Sequence, residues 1–214
     1  MSYFITFEGI EGSGKSTQMR RLVDRLAREE WDVTETREPG GTDIGDQIRQ
    51  VLLDSKNSSM VRACEVLLYY AARAQHLEQL IRPSLKSNKI VVCDRFVDAT
   101  IAYQGYARGV SFDVLEALNA YVLQGIQPDL TLLFDMPVEI GLGRAKSRAM
   151  NLDAAQREDR FENEVMEFHQ KVREGYLQLA AKDPKRVVVL DATLSIDDLH
   201  EVVFKTVNPR LQKK

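Results

Sequence analysis

The feature that most constrains this chain is a glycine-rich segment close to its N-terminus, residues 9–16, with the sequence GIEGSGKS. It fits the pattern G-x-x-x-x-G-K-[ST], and it joins a predicted strand, 3–7, to a predicted helix, 15–29. Glycines allow the backbone to turn tightly and to point successive N–H groups at phosphate oxygens, and the helix N-terminus adds the positive end of its dipole. The segment therefore predicts a phosphate-binding loop at a strand-to-helix junction.

The rest of the chain alternates short apolar runs with amphipathic segments, which predicts repeated strand–helix–strand units. The strands are nearly all apolar, as expected when helices cover both faces of a sheet. We therefore expect an α/β fold with three layers, α/β/α, in which helices surround a five-stranded parallel sheet with right-handed crossovers. The predicted strands are 3–7, 32–36, 90–93, 130–134 and 186–190. The predicted helices are 15–29, 44–52 capped by Asp43, 60–80, 98–104, 112–123, 137–150, 160–181 and 196–207 capped by Ser195.

Composition excludes several classes of protein. The chain has 214 residues, which indicates a single domain over 1–214. Its 32 acidic and 29 basic residues give a net charge of −3, which argues against a nucleic-acid or membrane-surface binder. Cys64 and Cys93 lack the spacing of a zinc site or a disulfide scaffold. No apolar stretch reaches the ~18 residues that span a bilayer, and the N-terminus lacks the features of a secretory leader, so we expect a cytoplasmic protein.

A magnesium site is predicted beside the phosphate loop. Lys15 would reach the β- and γ-phosphates of ATP, and the Ser16 hydroxyl would join the Mg²⁺ shell. Mg²⁺ also favours a carboxylate at a strand end, and two predicted strands end in aspartate, at Asp94 and Asp135. The sequence favours Asp94, because Arg95 places a phosphate-binding cation next to it. Asp135 precedes Met136-Pro137 and fits a helix cap equally well.

A second phosphate site is indicated by arginines at the edge of the sheet where ligands of open α/β folds bind. A kinase needs such a site for its acceptor, whereas a hydrolase needs only a positioned water. The arginines are Arg37, Arg49, Arg73 and Arg95. Any one such arginine is more often a solvated surface residue, and Arg95 is the exception because it directly follows a buried strand. Tyr69 and Arg73 lie four residues apart on one helix face and suit a planar base, although Tyr69 or Tyr70 could instead pack in the core. The nearby polar set is Thr100, Tyr103 and Gln104.

The chain resembles the bacterial thymidylate kinases (dTMP kinases), which are P-loop nucleoside monophosphate kinases. The resemblance lies in the segments GIEGSGKST, TREPGGTDIG, EVLLYYAARAQH, CDRFVDATIAYQG and PDLTLLFDMP, in this order and spacing, and it covers essentially the whole chain. It implies a P-loop NTPase fold with a mobile lid at about 144–160, and usually a homodimer. It also implies ATP-dependent, Mg²⁺-assisted in-line phosphorylation of dTMP to dTDP, a step of dTTP biosynthesis.

Position by position, the resemblance also implies site roles. Tyr69 stands where the family often has Phe and would stack on thymine, and Tyr103 would lie close to the sugar C2′. Arg73, Thr100 and Gln104 match positions that hydrogen-bond the base. Arg95 matches the arginine on the dTMP phosphate, with Arg37 and Arg49 as further assignments, and Ala99 departs from the common Ser. The ATP-binding residues would be Ile10, Glu11, Gly12, Ser13, Gly14, Lys15, Ser16 and Thr17.

Glu11 and the lid complete the predicted site. A carboxylate inside a phosphate loop repels nucleotide phosphates unless it has a partner, and the resemblance implies that Glu11 contacts the acceptor's 3′-hydroxyl. The loop contains no Arg, so the lid must supply a cation to the transferring group. The lid candidates are Arg144, Arg148, Arg157 and Arg160, with Arg148 first and Glu162 as a further sugar-site residue. The predicted catalytic set is Lys15, Arg95, Arg148 and Glu11.

Two other functions remain open at this point. A kinase for another nucleoside monophosphate, such as dUMP or UMP, would share the phosphate machinery and differ in the base pocket. A P-loop switch or assembly ATPase would bind nucleotide to regulate a partner, and it would need no arginine-rich acceptor site.

Overall fold

The computed structural model describes residues 2–149, 160–161 and 164–211. A five-stranded sheet lies at the centre, in the order β2-β3-β1-β4-β5, and all its pairings are parallel. The strands are β1 (Tyr3–Glu8), β2 (Val33–Arg37), β3 (Ile90–Asp94), β4 (Leu130–Asp135) and β5 (Val187–Asp191). The predicted parallel sheet is confirmed, with each strand displaced by one residue at most.

Helices pack on the sheet and connect its strands. They are α1 (Lys15–Arg28), α2 (Asp43–Leu53), α3 (Arg62–His76), α4 (Arg82–Lys86), α5 (Val97–Thr100), α6 (Phe112–Leu123), α7 (Val138–Ala149), α8 (Met166–Lys182) and α9 (Ile196–Val207). π-helical segments at Leu77–Ile81 and Ile101–Ala107 extend α3 into α4 and prolong α5. Short 3₁₀ turns lie at Ser55–Asn57 and Asn208–Arg210.

Several predicted helix boundaries were wrong. The N-cap of α2 is Thr42, not Asp43, because the Thr42 hydroxyl accepts a hydrogen bond from the Gly45 amide. The helix predicted from 160 begins only at Met166, since residues 160–161 form a turn with both side chains buried. The helix predicted over 98–104 continues as a π-helix to Ala107, and the one predicted over 60–80 reaches Lys86. Ser195 caps α9 as predicted, by accepting from the Asp198 amide.

The three inner strands of the sheet are buried. Side chains of β1, β3 and β4 such as Ile5, Val92 and Leu132 are inaccessible to solvent, whereas β2 and β5 lie at the sheet edges and are partly exposed. Because all strands are parallel, β1, β3 and β4 end side by side at the edge where open α/β sheets bind ligands. Within the described part of the chain, no helix is long and apolar enough to cross a membrane.

Candidate active site

The phosphate loop leaves β1 after Glu8 and enters α1 at Lys15. Gly12 and Gly14 have φ values of 72° and 89°, in the left-handed region that favours glycine. A Cβ on Gly12 would overlap with the carbonyl group of Gly141 in α7, so this glycine is also required for the close packing of loop and helix. The Lys15 ammonium is buried inside the loop and donates to the carbonyls of Gly9 (3.0 Å) and Ile10 (2.8 Å). Burial, together with the nearby charge of Arg95, lowers the pKa of Lys15 to about 8.

The two strand-end aspartates have different partners. Both β3 and β4 flank β1, so Asp94 and Asp135 lie at the same sheet edge on opposite sides of the loop strand. The Ser16 hydroxyl donates to Asp94 Oδ2 at 2.8 Å, and Asp94 Oδ1 is buried with no hydrogen-bond partner among the described residues. Asp135 accepts two hydrogen bonds from Arg173, at 2.7 and 2.9 Å. A hydroxyl beside an unsatisfied carboxylate oxygen is a donor set that fits Mg²⁺.

Arg95 connects β3 to the phosphate loop. Its φ is 67°, a left-handed conformation that costs a non-glycine residue about 1–3 kcal/mol and is common at functional sites. The guanidinium donates to Gly9 O and to Glu11 Oε1, both at 3.0 Å, and to the Tyr176 hydroxyl at 3.1 Å. The Arg95 side chain is 20% exposed to solvent, so part of it remains accessible to a ligand.

Glu11 lies in a polar cluster on the same side of the loop. Its Oε1 accepts from Arg95 and from the Tyr103 hydroxyl, the latter at 2.6 Å, and its Oε2 lies 3.6 Å from His169 Nδ1. Burial by itself would raise the pKa of Glu11, but Arg95, His169 and Lys15 together hold it well below its usual range. The carboxylate that sequence alone marked as unfavourable in a phosphate loop therefore has its partners.

Arg73 is buried within a second polar cluster, which it forms with Glu38 and Thr100. Its Nε donates to Glu38 Oε2 at 2.7 Å, and its Nη2 donates to Thr100 Oγ1 at 2.8 Å and to Phe96 O at 3.1 Å. Glu38 also contacts His76 Nδ1 at 3.0 Å. Arg73 Nη1 is buried and has no partner within the described part of the chain, which leaves one donor available to a ligand.

The other residues predicted for the base site lie on α3 and on the π-helical segment that follows α5. Tyr69 lies half-buried on α3, four residues before Arg73, and burial raises the pKa of its hydroxyl. Tyr70 instead packs in the core, where its hydroxyl lies 2.9 Å from Asn119 Oδ1 and 3.2 Å from Leu115 O. Gln104 is buried in the π-helical segment, and its amide nitrogen donates to Glu65 Oε1 at 3.0 Å.

Arg37 and Arg49, the further arginines predicted for the acceptor phosphate, lie nearer to the protein surface than Arg73. Arg37 is exposed and lies 3.7 Å from Asp46, while Arg49 donates to Pro39 O at 2.9 Å. Of the lid candidates, Arg144 donates to Ala192 O at 3.2 Å, and Arg160 is bonded to Glu65 and to Leu52 O. The Arg148 side chain, Arg157 and Glu162, with most of the predicted lid over 144–160, lie outside the described residues.

Sequence reasoning missed several buried polar groups near the phosphate loop and the Arg73 cluster, among them Glu8, Tyr176 and His169. Glu8 is inaccessible to solvent and accepts from the Phe96 amide (2.7 Å) and the Tyr176 hydroxyl (2.8 Å). Burial, with a contribution from Asp98, raises the pKa of Glu8 to about 8. His169 on α8 faces Glu11. A carboxylate that ends an apolar strand was a usable signal for Glu8, whereas Tyr176 and His169 come from the far end of the chain and left none.

The phosphate loop, the parallel sheet and the adjoining arginine-lined polar site define a P-loop kinase of the nucleoside monophosphate kinase type. A family model described as thymidylate kinase matches residues 7–203. The chain is 51% identical over 211 residues to a thymidylate kinase of Geotalea daltonii, covering 99% of each protein, and 52% identical over 209 residues to one of Syntrophotalea carbinolica, covering 97% and 96%. The crystal structure of thymidylate kinase from Ehrlichia chaffeensis superposes with a TM-score of 0.76 at 35% identity, over 97% of this chain and 98% of that one. The chain belongs to the thymidylate kinase family, whose reaction is the ATP-dependent phosphorylation of dTMP to dTDP.

Proposed function

We propose that this chain transfers the γ-phosphoryl group of ATP to the 5′-phosphate of dTMP at the site between the phosphate loop and the end of β3. One observation carries the proposal. Arg95, the predicted acceptor arginine, is hydrogen-bonded to Gly9 and Glu11 of the donor loop itself. A phosphate bound by Arg95 would therefore lie beside the terminal phosphate of a nucleotide in the loop, as in-line transfer requires.

On the donor side, the loop amides of residues 10–17 and the Lys15 ammonium would bind the ATP phosphates. Ser16 and Asp94 would hold Mg²⁺, and the unsatisfied Asp94 Oδ1 supports this assignment. Among the described residues no three His, Cys, Asp or Glu side chains form a metal cluster, which suits an ion that takes its other ligands from phosphates and water. When bound, Mg²⁺ would neutralise negative charge on the transferring phosphates.

On the acceptor side, the ring of Tyr69 would stack on the base, and Arg73 Nη1, Thr100 and Gln104 would hydrogen-bond its edge. The free Arg73 donor supports this assignment. Arg95 would bind the 5′-phosphate, with Arg37 and Arg49 at the rim. Glu11 would accept from the 3′-hydroxyl, and Glu162 would join the sugar site. The Tyr103 ring would leave little room for a 2′-hydroxyl.

The chemical step needs no strong base, because the acceptor phosphate is already an anion at neutral pH. Lys15 and Arg95 would hold two polyanions in line and reduce the repulsion between them. We further propose that the chain is one kinase domain over 1–214, and that a lid at about 144–160 closes with Arg148 as the cation on the transferring group and excludes water.

We also propose a cytoplasmic homodimer. Leu67 on α3 and Tyr121 on α6 are 56% and 80% exposed, and these two helices pack side by side, so they present an apolar surface to a second copy. Sedimentation equilibrium would report a dimer for the wild type and a shift towards monomer for Tyr121→Glu. A wild-type monomer would contradict the proposal.

An acceptor panel tests the function. ADP release is measured with ATP and Mg²⁺ against dTMP, dUMP, UMP, dCMP, dGMP and AMP, and without any acceptor. We expect release to favour dTMP strongly over dUMP and UMP. Preference for dUMP or UMP would keep the phosphate chemistry and overturn the base assignment. Equal release with and without acceptor would favour the switch ATPase.

A further inference from the structure

The side-chain amide of Gln104, which we propose contacts the base, is held in one orientation by the neighbouring carboxylate of Glu65. Gln104 and Glu65 are each only 1% exposed, and Gln104 Nε2 donates to Glu65 Oε1 at 3.0 Å. A carboxylate offers only acceptors, so the nitrogen of the Gln104 amide has to face Glu65. The oxygen of the same amide, Oε1, therefore points away from Glu65.

Glu65 is itself held in place by two arginines. Arg160 Nη2 donates to Glu65 Oε2, and Arg108 Nε lies 3.4 Å from Oε1. Arg160 is anchored in turn to Leu52 O at 3.0 Å, and Arg108 to Glu164 at 2.6 Å. These contacts stop the carboxylate from rotating and keep its role as an acceptor, so the amide it holds has a single orientation.

Arg73 supplies the complementary group. Its Nη1 is a buried donor without a partner in the described part of the chain, and its Nη2 is bonded to Thr100, one helical turn before Gln104. A base that reached both groups would meet a donor on Arg73 and an acceptor on Gln104. Thymine and uracil carry an acceptor, O4, next to a donor, N3–H. Cytosine carries the reverse pattern, with a donor amino group at C4 and an acceptor at N3.

We propose that Glu65 is a positioning residue that sets base specificity. By holding the Gln104 amide with its oxygen towards the base, Glu65 makes the site accept 4-oxopyrimidines and reject cytosine. This inference rests on the proposed function, because it requires the acceptor base to lie against Arg73 and Gln104. Glu65 acts through Gln104 and does not touch the substrate.

Two substitutions of Glu65 distinguish its role as a hydrogen-bond acceptor for Gln104 from its role in packing. Glu65→Gln introduces an amide that can donate to Gln104 Oε1, so the Gln104 amide is free to flip and present its nitrogen to the base. We expect the ratio of kcat/KM for dTMP to kcat/KM for dCMP to fall by at least about 10-fold, since a mispaired buried polar group discriminates strongly. Glu65→Asp remains an acceptor and should keep the wild-type ratio even where its activity is lower.

Arg108→Gln is the matched control. It removes the more distant of the two guanidinium contacts of Glu65 and keeps the one from Arg160, which still holds the carboxylate against Gln104. We expect it to leave the dTMP-to-dCMP ratio within about threefold of the wild type, as a loss of charge alone should not reverse a hydrogen-bond pattern. A ratio that falls in Arg108→Gln as much as in Glu65→Gln would overturn the proposal.

The double variant Glu65→Gln/Gln104→Glu keeps the proposal testable if Glu65→Gln does not fold. There the new amide donates to the new carboxylate, whose second oxygen still accepts from N3–H, so the preference for dTMP should be retained. Thermal unfolding establishes that each variant is folded before its kinetics are compared.

The outcomes distinguish this inference from the proposed function. If the wild-type protein does not phosphorylate dTMP, both the proposed function and the role of Glu65 are contradicted. A wild type that prefers dTMP, with an unchanged ratio in folded Glu65→Gln, removes only the role of Glu65. Loss of the preference in the double variant or in Glu65→Asp also contradicts it.

Discussion

The strands on either side of β1 end in the same type of residue, aspartate, but the two aspartates have different partners. β3 ends at Asp94, which accepts from Ser16 of the phosphate loop and keeps one buried oxygen unsatisfied. β4 ends at Asp135, whose two oxygens are both taken by Arg173. The first pattern leaves a carboxylate for a ligand to complete, and the second completes it within the protein.

The following residues strengthen the contrast. Arg95 has a left-handed φ that turns its guanidinium back to Gly9 and Glu11. Met136, at the corresponding position after β4, is buried in the core. The polar cluster of Arg95 and Glu11, where we propose that the acceptor phosphate binds, therefore adjoins the β3 side of the loop strand. What decides the role of each strand end is the partner supplied by a distant part of the chain.

The largest expected effect comes from removing an arginine on each side. Arg95→Ala should lower kcat/KM for dTMP at least ~100-fold, because it removes a cation from the transferring phosphates. Arg173→Ala, the matched arginine beside β4, should remain within about threefold of the wild type, as expected for a side chain away from the reaction. Steady-state ADP release with dTMP provides the comparison. Equal losses in the two variants would mean that the two strand ends do not differ in function.

The fold was largely predictable because its signals are local. Apolar runs placed all five strands, and Ser195 fixed the start of α9. The π-helical segments at Leu77–Ile81 and Ile101–Ala107 were not predicted, since their apolar spacing resembles that of an α-helix. The start of α8 was misplaced because the turn at Arg160 and Phe161 is held by long-range contacts such as that to Glu65.

The site was only partly predictable for the same reason. The pattern of residues 9–16 is contiguous and therefore visible in the sequence. The sequence also favoured Asp94 over Asp135, because Arg95 follows it, but the contacts of these aspartates with Ser16 and Arg173 could not be predicted from spacing. Glu65 and His169 left no signal, because their importance arises from contacts with Gln104 and Glu11 on other elements.

The second prediction compares the aspartates themselves. Asp94→Asn should weaken the apparent Mg²⁺ affinity in the kinase reaction at least about 10-fold, because an amide is a poorer ligand for a hard cation. Asp135→Asn should leave that affinity unchanged. Both are read from Mg²⁺ titrations at saturating ATP and dTMP, and a larger effect of Asp135→Asn would place the metal on the β4 side.

A third prediction uses pH to probe the β3 side. The pKa of Lys15 is lowered to about 8, so the ammonium is charged below that pH and neutral above it. Affinity for a non-hydrolysable ATP analogue should therefore fall about 10-fold between pH 7 and 9. Lys15→Arg, which stays charged, should show no such fall, and Arg95→Ala should move it to higher pH. A pH-independent affinity in the wild type would contradict the assignment of Lys15.

The smallest effect is expected on stability. Asp135→Asn breaks a partly exposed ion pair and should lower the free energy of unfolding by up to about 1 kcal/mol. Asp94→Asn should not lower it, because Asp94 holds a buried oxygen that no described group satisfies. Urea unfolding without nucleotide measures both. Greater destabilisation by Asp94→Asn would indicate that this carboxylate serves the fold.

The most direct test of the contrast between the two strand ends is a crystal structure with dTMP, a non-hydrolysable ATP analogue and Mn²⁺ in place of Mg²⁺. We expect the anomalous peak of Mn²⁺ beside Ser16 and Asp94, with the dTMP phosphate on Arg95 and the base against Arg73. A peak beside Asp135, or a dTMP phosphate away from Arg95, would contradict the account.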